Sequence, residues 1–132
     1  MQFDINTHNK KDSLESFLYI LKGVLLSYIL TLICFLIFAG IINLTSISYN
    51  IIPISTIVIS AICIIISAFY ISKATTNRGW LRGGSVGLLY VLILLVAGIF
   101  LVPDFNLTYF TLIKILIGFI IGSVGGILGV NM

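Results

Sequence analysis

Four long apolar runs dominate this sequence, at about residues 23–42, 51–72, 83–102 and 109–130. A helix of about 20 residues is about 30 Å long, which matches the hydrocarbon core of a bilayer. Backbone N–H and C=O groups in hydrocarbon have no water to bind, so a spanning run must pair them within a helix. The runs therefore predict an all-α fold, an integral membrane four-helix bundle.

The composition favours the same conclusion. Of the 132 residues, 60% are hydrophobic and only 8% are charged. Soluble domains carry about 25% charged residues. A chain of this length could not bury so much apolar side chain in a core of its own. The lipid bilayer is therefore the first partner that the sequence predicts.

Residues 1–22 are more polar and form the predicted tail, while residues 23–132 form the four-transmembrane-helix domain. Asp12 and Glu15 have the spacing of a capping box at the start of a helix. Apolar residues then recur at helical period, at Leu14, Phe17, Leu18 and Leu21. We expect a short amphipathic helix that either lies on the membrane surface or extends the first span.

The basic residues are distributed unevenly along the chain. Six of the seven are Lys10, Lys11, Lys22, Lys73, Arg78 and Arg82, which precede the first run or lie between the second and the third. By the positive-inside rule the tail and this loop are cytoplasmic, and four spans return the C-terminus to the same side. Trp80 in the loop suits the headgroup region. These bases flank apolar segments and form no free basic face, which argues against nucleic-acid binding.

Each run carries one stripe of small or weakly polar residues at helical spacing. The stripes are Gly23, Ser27, Thr31 and Cys34; Thr56, Ser60, Cys63 and Ser67; Gly83, Gly87, Tyr90, Leu94 and Ala97; and Gly118, Gly122, Gly125, Gly126 and Gly129. In lipid, burial of Ile, Leu or Val gains little, and close backbone approach at small residues brings helices together. Four stripes that face inward predict a compact bundle.

The glycine seam comprises the five glycines of the fourth stripe together with Gly83 and Gly87 of the third. The simpler interpretation is packing within one bundle. The alternative is that the fourth stripe, which is denser in glycine than one bundle requires, faces a second copy or another membrane protein. Ser123 lies more than a quarter-turn from Gly122, so Ser123→Leu is expected to be milder than Gly122→Leu.

Lys114 is the one charge within a run. It lies about one turn inside the predicted outer interface, on the same face as Gly118. One interpretation is that its amine extends toward the headgroups, near Asp104. The other is that it lines an outward-facing cavity or binds an anionic group.

Catalytic, cofactor and metal-binding patterns are absent from the sequence. No histidine or acidic residue lies within a run, and no base accompanies a candidate nucleophile, so we expect no enzyme. Cys34 and Cys63 lie in apolar runs without the spacing of a metal site. Such cysteines usually behave as small hydrophobic residues. The two could reach similar depths on neighbouring helices, which leaves a disulfide as the alternative.

One segment is similar to a known family. Residues 69–73 read Phe-Tyr-Ile-Ser-Lys, residues 78–81 read Arg-Gly-Trp-Leu, and residues 83–90 read Gly-Gly-Ser-Val-Gly-Leu-Leu-Tyr. Together with Lys22-Gly23, they resemble the YrzE-like membrane proteins of Gram-positive bacteria. The resemblance implies a four-helix protein of the bacterial plasma membrane, and it brings no assigned activity and no site residues.

Two classes of function remain as hypotheses. The first is a structural or accessory subunit that acts through helix–helix packing, in a larger membrane complex or as a homo-oligomer. The alternative is a small oligomeric transporter, channel or lipid-handling protein for an anionic or neutral solute. No Asp or Glu lies within a span, so the usual proton- or cation-coupling group is missing. The sequence names no small-molecule substrate.

The charge distribution yields a test of orientation. Cysteines placed at Ser48 and Asn106 are expected to react with an impermeant thiol reagent added outside intact cells. One placed at Asn77 is expected to stay unlabelled, because it lies in the basic loop. Labelling of the Asn77 cysteine from outside would reverse the predicted orientation.

Overall fold

The computed structural model describes residues 2–74 and 78–132. Its helices are α1 (Gln2–Leu44), α2 (Ile52–Lys73), α3 (Gly79–Leu101) and α4 (Tyr109–Asn131), and a 3-10 turn at Tyr49–Ile51 precedes α2. The four α-helices pack together, and each is long and apolar enough to cross a membrane. The predicted all-α, multi-pass bundle is confirmed.

The helix ends follow from local chemistry. Pro53 lies in the first turn of α2, where its missing N–H costs little. Arg78, just before α3, adopts left-handed backbone angles, with φ 56°. Pro103 follows the end of α3, and Asp104 in the same turn has φ 71°, a region that Asp tolerates better than most residues. Ser48 is exposed between helices.

Asn106 is likewise exposed in the α3–α4 connection, so this second labelling position is accessible. Asn77, the third position of the labelling test, lies outside the described residues.

Helix α1 is longer than the sequence analysis predicted. Its 43 residues run through the expected boundary at Gly23 without a break, so the amphipathic stretch extends the first span rather than forming a separate helix. No Gly or Pro interrupts residues 2–22. The extension is also held laterally, since an Arg82 guanidinium N–H donates to Ser16 Oγ at 2.9 Å.

The helices form a diamond in cross-section. Helices α2 and α3 contact each other, and α4 packs against both of them on one side. Helix α1 packs against both from the other side, and among the described residues it does not contact α4. The contact between α3 and α4 is the most extensive of all.

Burial is concentrated in one half of the bundle. We call the half next to the α2–α3 connection the closed half, and the other the open half. The closed half contains nearly all the buried residues, among them Ser27, Ala68, Val86 and Gly126, whereas Thr111 is an isolated buried residue of the open half. The prediction for the third stripe is therefore wrong in part, because this stripe is buried only as far as Tyr90.

Leu94 and Ala97, predicted to face inward, are exposed, and Leu94 exposes 48% of its surface. Both residues follow Tyr90 on the face of α3 that contacts α1, and neither lines the groove between α3 and α4. The contact between α1 and α3 is the least extensive of those between two α-helices, and no neighbouring helix covers this face beyond Tyr90.

Helices α3 and α4 meet backbone to backbone along their glycines. A Cβ atom at Gly122 would overlap the carbonyl oxygen of Gly83, and one at Gly126 would overlap that of Gly79. Conversely, a Cβ at Gly87 would overlap the carbonyl oxygen of Gly118. Only glycine fits this contact, which supplies dispersion and weak Cα–H···O interactions.

The remaining two glycines of α4 contact α2. A Cβ at Gly125 would lie 2.7 Å from the carbonyl oxygen of Ile65, and one at Gly129 would lie 2.5 Å from that of Phe69. The dense fourth stripe is therefore two adjacent rows of glycines that serve two neighbouring helices. All five glycines of this stripe are in contact with neighbouring helices of the same chain.

This contact yields a prediction for Gly122. Gly122→Ala is expected to lower the free energy of unfolding by about 1–3 kcal/mol, because its methyl group would press against the Gly83 carbonyl. Gly122→Leu is expected to abolish the folded monomer. Thermal unfolding and the yield of monodisperse protein in detergent measure both effects.

Gly40 provides the matched control. It lies in α1, and a Cβ added there meets no atom within 4 Å. Gly40→Ala should leave stability unchanged or raise it by up to about 1 kcal/mol, because Ala favours a helix more than Gly. Ser123 is less suitable than the sequence suggested, since its Oγ lies 2.6 Å from the Cβ position of Gly84. Equal melting of Gly122→Ala and Gly40→Ala would refute the backbone contact.

Candidate functional site

A buried polar cluster joins α1 to α3. The Tyr28 hydroxyl donates to the Tyr90 carbonyl oxygen at 2.8 Å, and the Tyr90 hydroxyl donates to Thr31 Oγ1 at 3.2 Å. The two rings lie 4.6 Å apart between centroids, inclined by 30°. Thr31 in turn donates to the Ser27 carbonyl oxygen at 2.5 Å. A tyrosine in hydrocarbon needs such partners, so this cluster fixes how α1 and α3 face each other.

The stripes predicted part of this cluster. They contained Ser27, Thr31 and Tyr90, and all three are buried. They did not contain Tyr28, which lies beside the first stripe. The available signal was chemical rather than periodic: a phenol in the middle of an apolar run has a hydroxyl that must find an acceptor inside the protein.

Cys34 and Cys63 lie together where α1 meets α2. Their sulfur atoms are 3.9 Å apart, and both thiols are free. Cys63 is buried and Cys34 is half-buried. The two cysteines are therefore in contact as free thiols. They form no disulfide in this structure, but they are closer together than two unrelated apolar residues would be.

The basic loop and Lys114 lie at opposite ends of the bundle. Arg78 and Trp80 are exposed beside the start of α3, and the Lys73 ammonium lies 5.9 Å from the centre of the Phe69 ring. Lys114 is exposed near the N-terminal end of α4, and no ion pair involves it within the described residues. No single site therefore includes both Lys114 and the loop.

Two apolar cavities lie along the open half. The larger, about 730 Å³, is bounded by α3 and by the first part of α4, and Thr108 and Thr111 are among its few polar residues. The second, about 590 Å³, is lined by Leu88 and by aliphatic and aromatic residues of α4. No charged residue lines either cavity. Within residues 2–74 and 78–132, no group of three or more His, Cys, Asp or Glu could hold a metal ion.

This arrangement is suited to binding other apolar surfaces. The hydroxyl groups of the Tyr28–Tyr90–Thr31 cluster form hydrogen bonds within the closed half, and the two cavities are apolar. Hydroxyl-to-carbonyl pairing of this kind orients helices, while apolar grooves accept lipid chains or the side chains of another helix.

Comparison with known proteins places most of the chain in one family. A family model described as "Protein of unknown function (DUF3792)" matches residues 16–129. No curated protein matches the chain, and no solved structure matches it. The match begins at Ser16, which Arg82 contacts, and ends at Gly129, the last glycine of the seam. It spans the contacts that hold all four helices together, and the protein is a multi-pass, four-helix membrane protein of the DUF3792 family.

Proposed function

We propose that this protein is an accessory subunit of the bacterial plasma membrane, one that acts through helix–helix packing and has no enzymatic activity of its own. Both termini would lie in the cytoplasm, as the lysine and arginine distribution suggests. Its partner would be a larger membrane complex or further copies of the same chain. The bacterial location rests on the sequence resemblance.

The observation that carries the proposal is the apolar groove between α3 and α4 in the open half. Beyond the last glycine contact the two helices leave a groove of about 730 Å³ between them, lined largely by aliphatic side chains such as Val96 and Leu112. Packing in lipid depends on shape rather than on hydrophobicity. A groove in an apolar surface therefore favours a contact with another transmembrane helix.

The inner contacts of the closed half agree with this assignment. Its glycines already contact α2 and α3, so they are not available to another protein. Its polar cluster is internally hydrogen-bonded. The open half adds the groove, together with exposed side chains of α3 and α4 such as Leu94, Phe100 and Leu116.

The alternative is a small oligomeric transporter, channel or lipid-handling protein for an anionic or neutral solute. The cavity volumes favour this alternative to some extent, because pockets for small molecules commonly have volumes of about 300–1,000 Å³. The lining favours an apolar ligand such as a lipid chain, with Thr108 and Thr111 as polar contacts. Lys114 would be the one charge available for an anionic group.

Site-specific photocrosslinking in native membranes separates the two proposals. A photoreactive residue at Val96, in the groove, is expected to crosslink to one discrete protein at defined mass. Leu36 provides the control, because it is 67% exposed on α1 and lines neither cavity. It should crosslink only to lipid.

Three outcomes of that experiment are informative. A discrete protein at Val96 and not at Leu36 supports the accessory subunit, and its mass separates a second copy from another protein. A lipid adduct that is enriched at Val96 over Leu36 supports the lipid-handling alternative. Equal, lipid-only labelling at both positions contradicts the proposed subunit role.

Lys114 yields a separate prediction. Lys114→Gln should leave expression and melting near those of the wild type, because an exposed amine that reaches the headgroups contributes little to packing. Lys114→Glu should cost more, since it places a like charge near Asp104. Expression and thermal unfolding measure both variants. Loss of folding in Lys114→Gln would show that the amine is a buried, paired group.

A further inference from the structure

The thiols of Cys34 and Cys63 form the one pair of reactive side chains that the described helices bring together. They come from two different helices, and their sulfur atoms are 3.9 Å apart. We propose that this pair is an oxidation site, at which a lipid-soluble two-electron acceptor of the quinone class closes a disulfide between α1 and α2.

The geometry requires only a small movement. A disulfide bond is about 2 Å long, so the sulfur atoms must approach by about 2 Å. A change between staggered rotamers moves a cysteine sulfur by more than this distance. The helices that carry the two cysteines are already in contact, so no rearrangement of the bundle is needed.

The depth of the pair selects the oxidant. Cys34 lies eleven residues after Gly23, which is about 16 Å along the helix axis and close to the middle of a hydrocarbon core about 30 Å thick. Charged and strongly polar oxidants are disfavoured at that depth, because hydrocarbon cannot solvate them, whereas apolar quinones dissolve there. Cys63 is almost fully buried, and Cys34 is half-buried, so Cys34 gives the quinone access to the pair.

The reaction balances without any other component. Two S–H bonds break and one S–S bond forms. The two electrons and two protons that are released reduce the quinone to a quinol. Neither thiolate needs to persist in the hydrocarbon, where a charged sulfur would be costly.

The consequence is a covalent link for the most loosely held helix. Among the described elements α1 contacts only α2 and α3, and these contacts are less extensive than those of α4. Of its two glycines only Gly23 contacts another helix, through the side chains of Val86 and Ile71. A disulfide at Cys34 and Cys63 would fix α1, and with it the extension that Arg82 contacts, to the rest of the bundle.

The test treats the full chain in native membranes with decyl-ubiquinone. The protein is then denatured and its remaining thiols are labelled with a maleimide mass tag. We expect the wild-type monomer to go from two tags to none, and to recover both tags after reduction with dithiothreitol.

The matched control is the double variant Cys34→Ser with Phe35→Cys, which moves the thiol about 100° around α1 at nearly the same depth. It should keep both tags. The variant Cys63→Ser should keep its single tag, which provides a second control that leaves α1 unchanged.

Three results would overturn the proposal. The first is a wild-type monomer that keeps both tags after prolonged exposure to the quinone. The second is loss of tags only in crosslinked dimers, which would show that the thiols react between chains. The third is equal loss of tags in the Phe35→Cys variant, or loss of the single tag from the Cys63→Ser monomer, because proximity of the two sulfurs would then not be the cause.

Discussion

Close backbone contact at glycine is the interaction on which the bundle depends. Apolar side chains gain little free energy when they move from lipid to the protein interior, so helices associate where their backbones can approach closely. Helix α4 supplies that approach twice. Gly118, Gly122 and Gly126 contact α3, while Gly125 and Gly129 contact α2. Helix α4 therefore packs closely against two other helices, and a larger residue at any of these positions would overlap an atom of its neighbour.

The two halves of the bundle follow from where those glycines lie along antiparallel helices. The glycines of α3 that contact α4 lie toward its N-terminal end, and the glycines of α4 lie toward its C-terminal end. Because α3 and α4 run in opposite directions, both sets come to the same end of the bundle. The opposite ends carry large residues such as Leu95 and Leu112, which separate the helices and leave the groove. The closed and open halves thus both follow from the unequal distribution of glycine along α3 and α4.

Much of this fold could be predicted from the sequence, because hydrophobic length and small-residue spacing are local properties. The predicted spans at 51–72 and 109–130 differ from α2 and α4 by one residue at each of three ends and agree at the fourth. The division of the fourth stripe between two helices could not be predicted, since it depends on which neighbours occupy each side. The role of Tyr28 was missed for a similar reason, because its acceptor is the carbonyl oxygen of Tyr90, which is far from it in the sequence.

The inward stripe of α3 was extended too far, to Leu94 and Ala97, because periodicity does not register where a neighbouring helix ceases to cover a face. The sequence left open whether the amphipathic stretch before Gly23 lies on the membrane surface or extends the first span, and α1 runs through it without a break. The Arg82 contact to Ser16 shows that the helix extends beyond the apolar run while remaining attached to α3.

Helix α1 is held by a different chemistry from the rest, and this difference bears on how the protein could be regulated. Its contacts are hydroxyl groups, one tyrosine pair and a pair of thiols, rather than rows of glycines. Contacts at glycine are made by the backbone, so no side chain is present that could change its rotamer or be oxidised. Hydroxyl and thiol contacts can be made, broken or oxidised. A protein that joins a membrane assembly through its α3–α4 groove could therefore adjust the position of α1 without disturbing that surface, since α1 and α4 do not touch among the described residues.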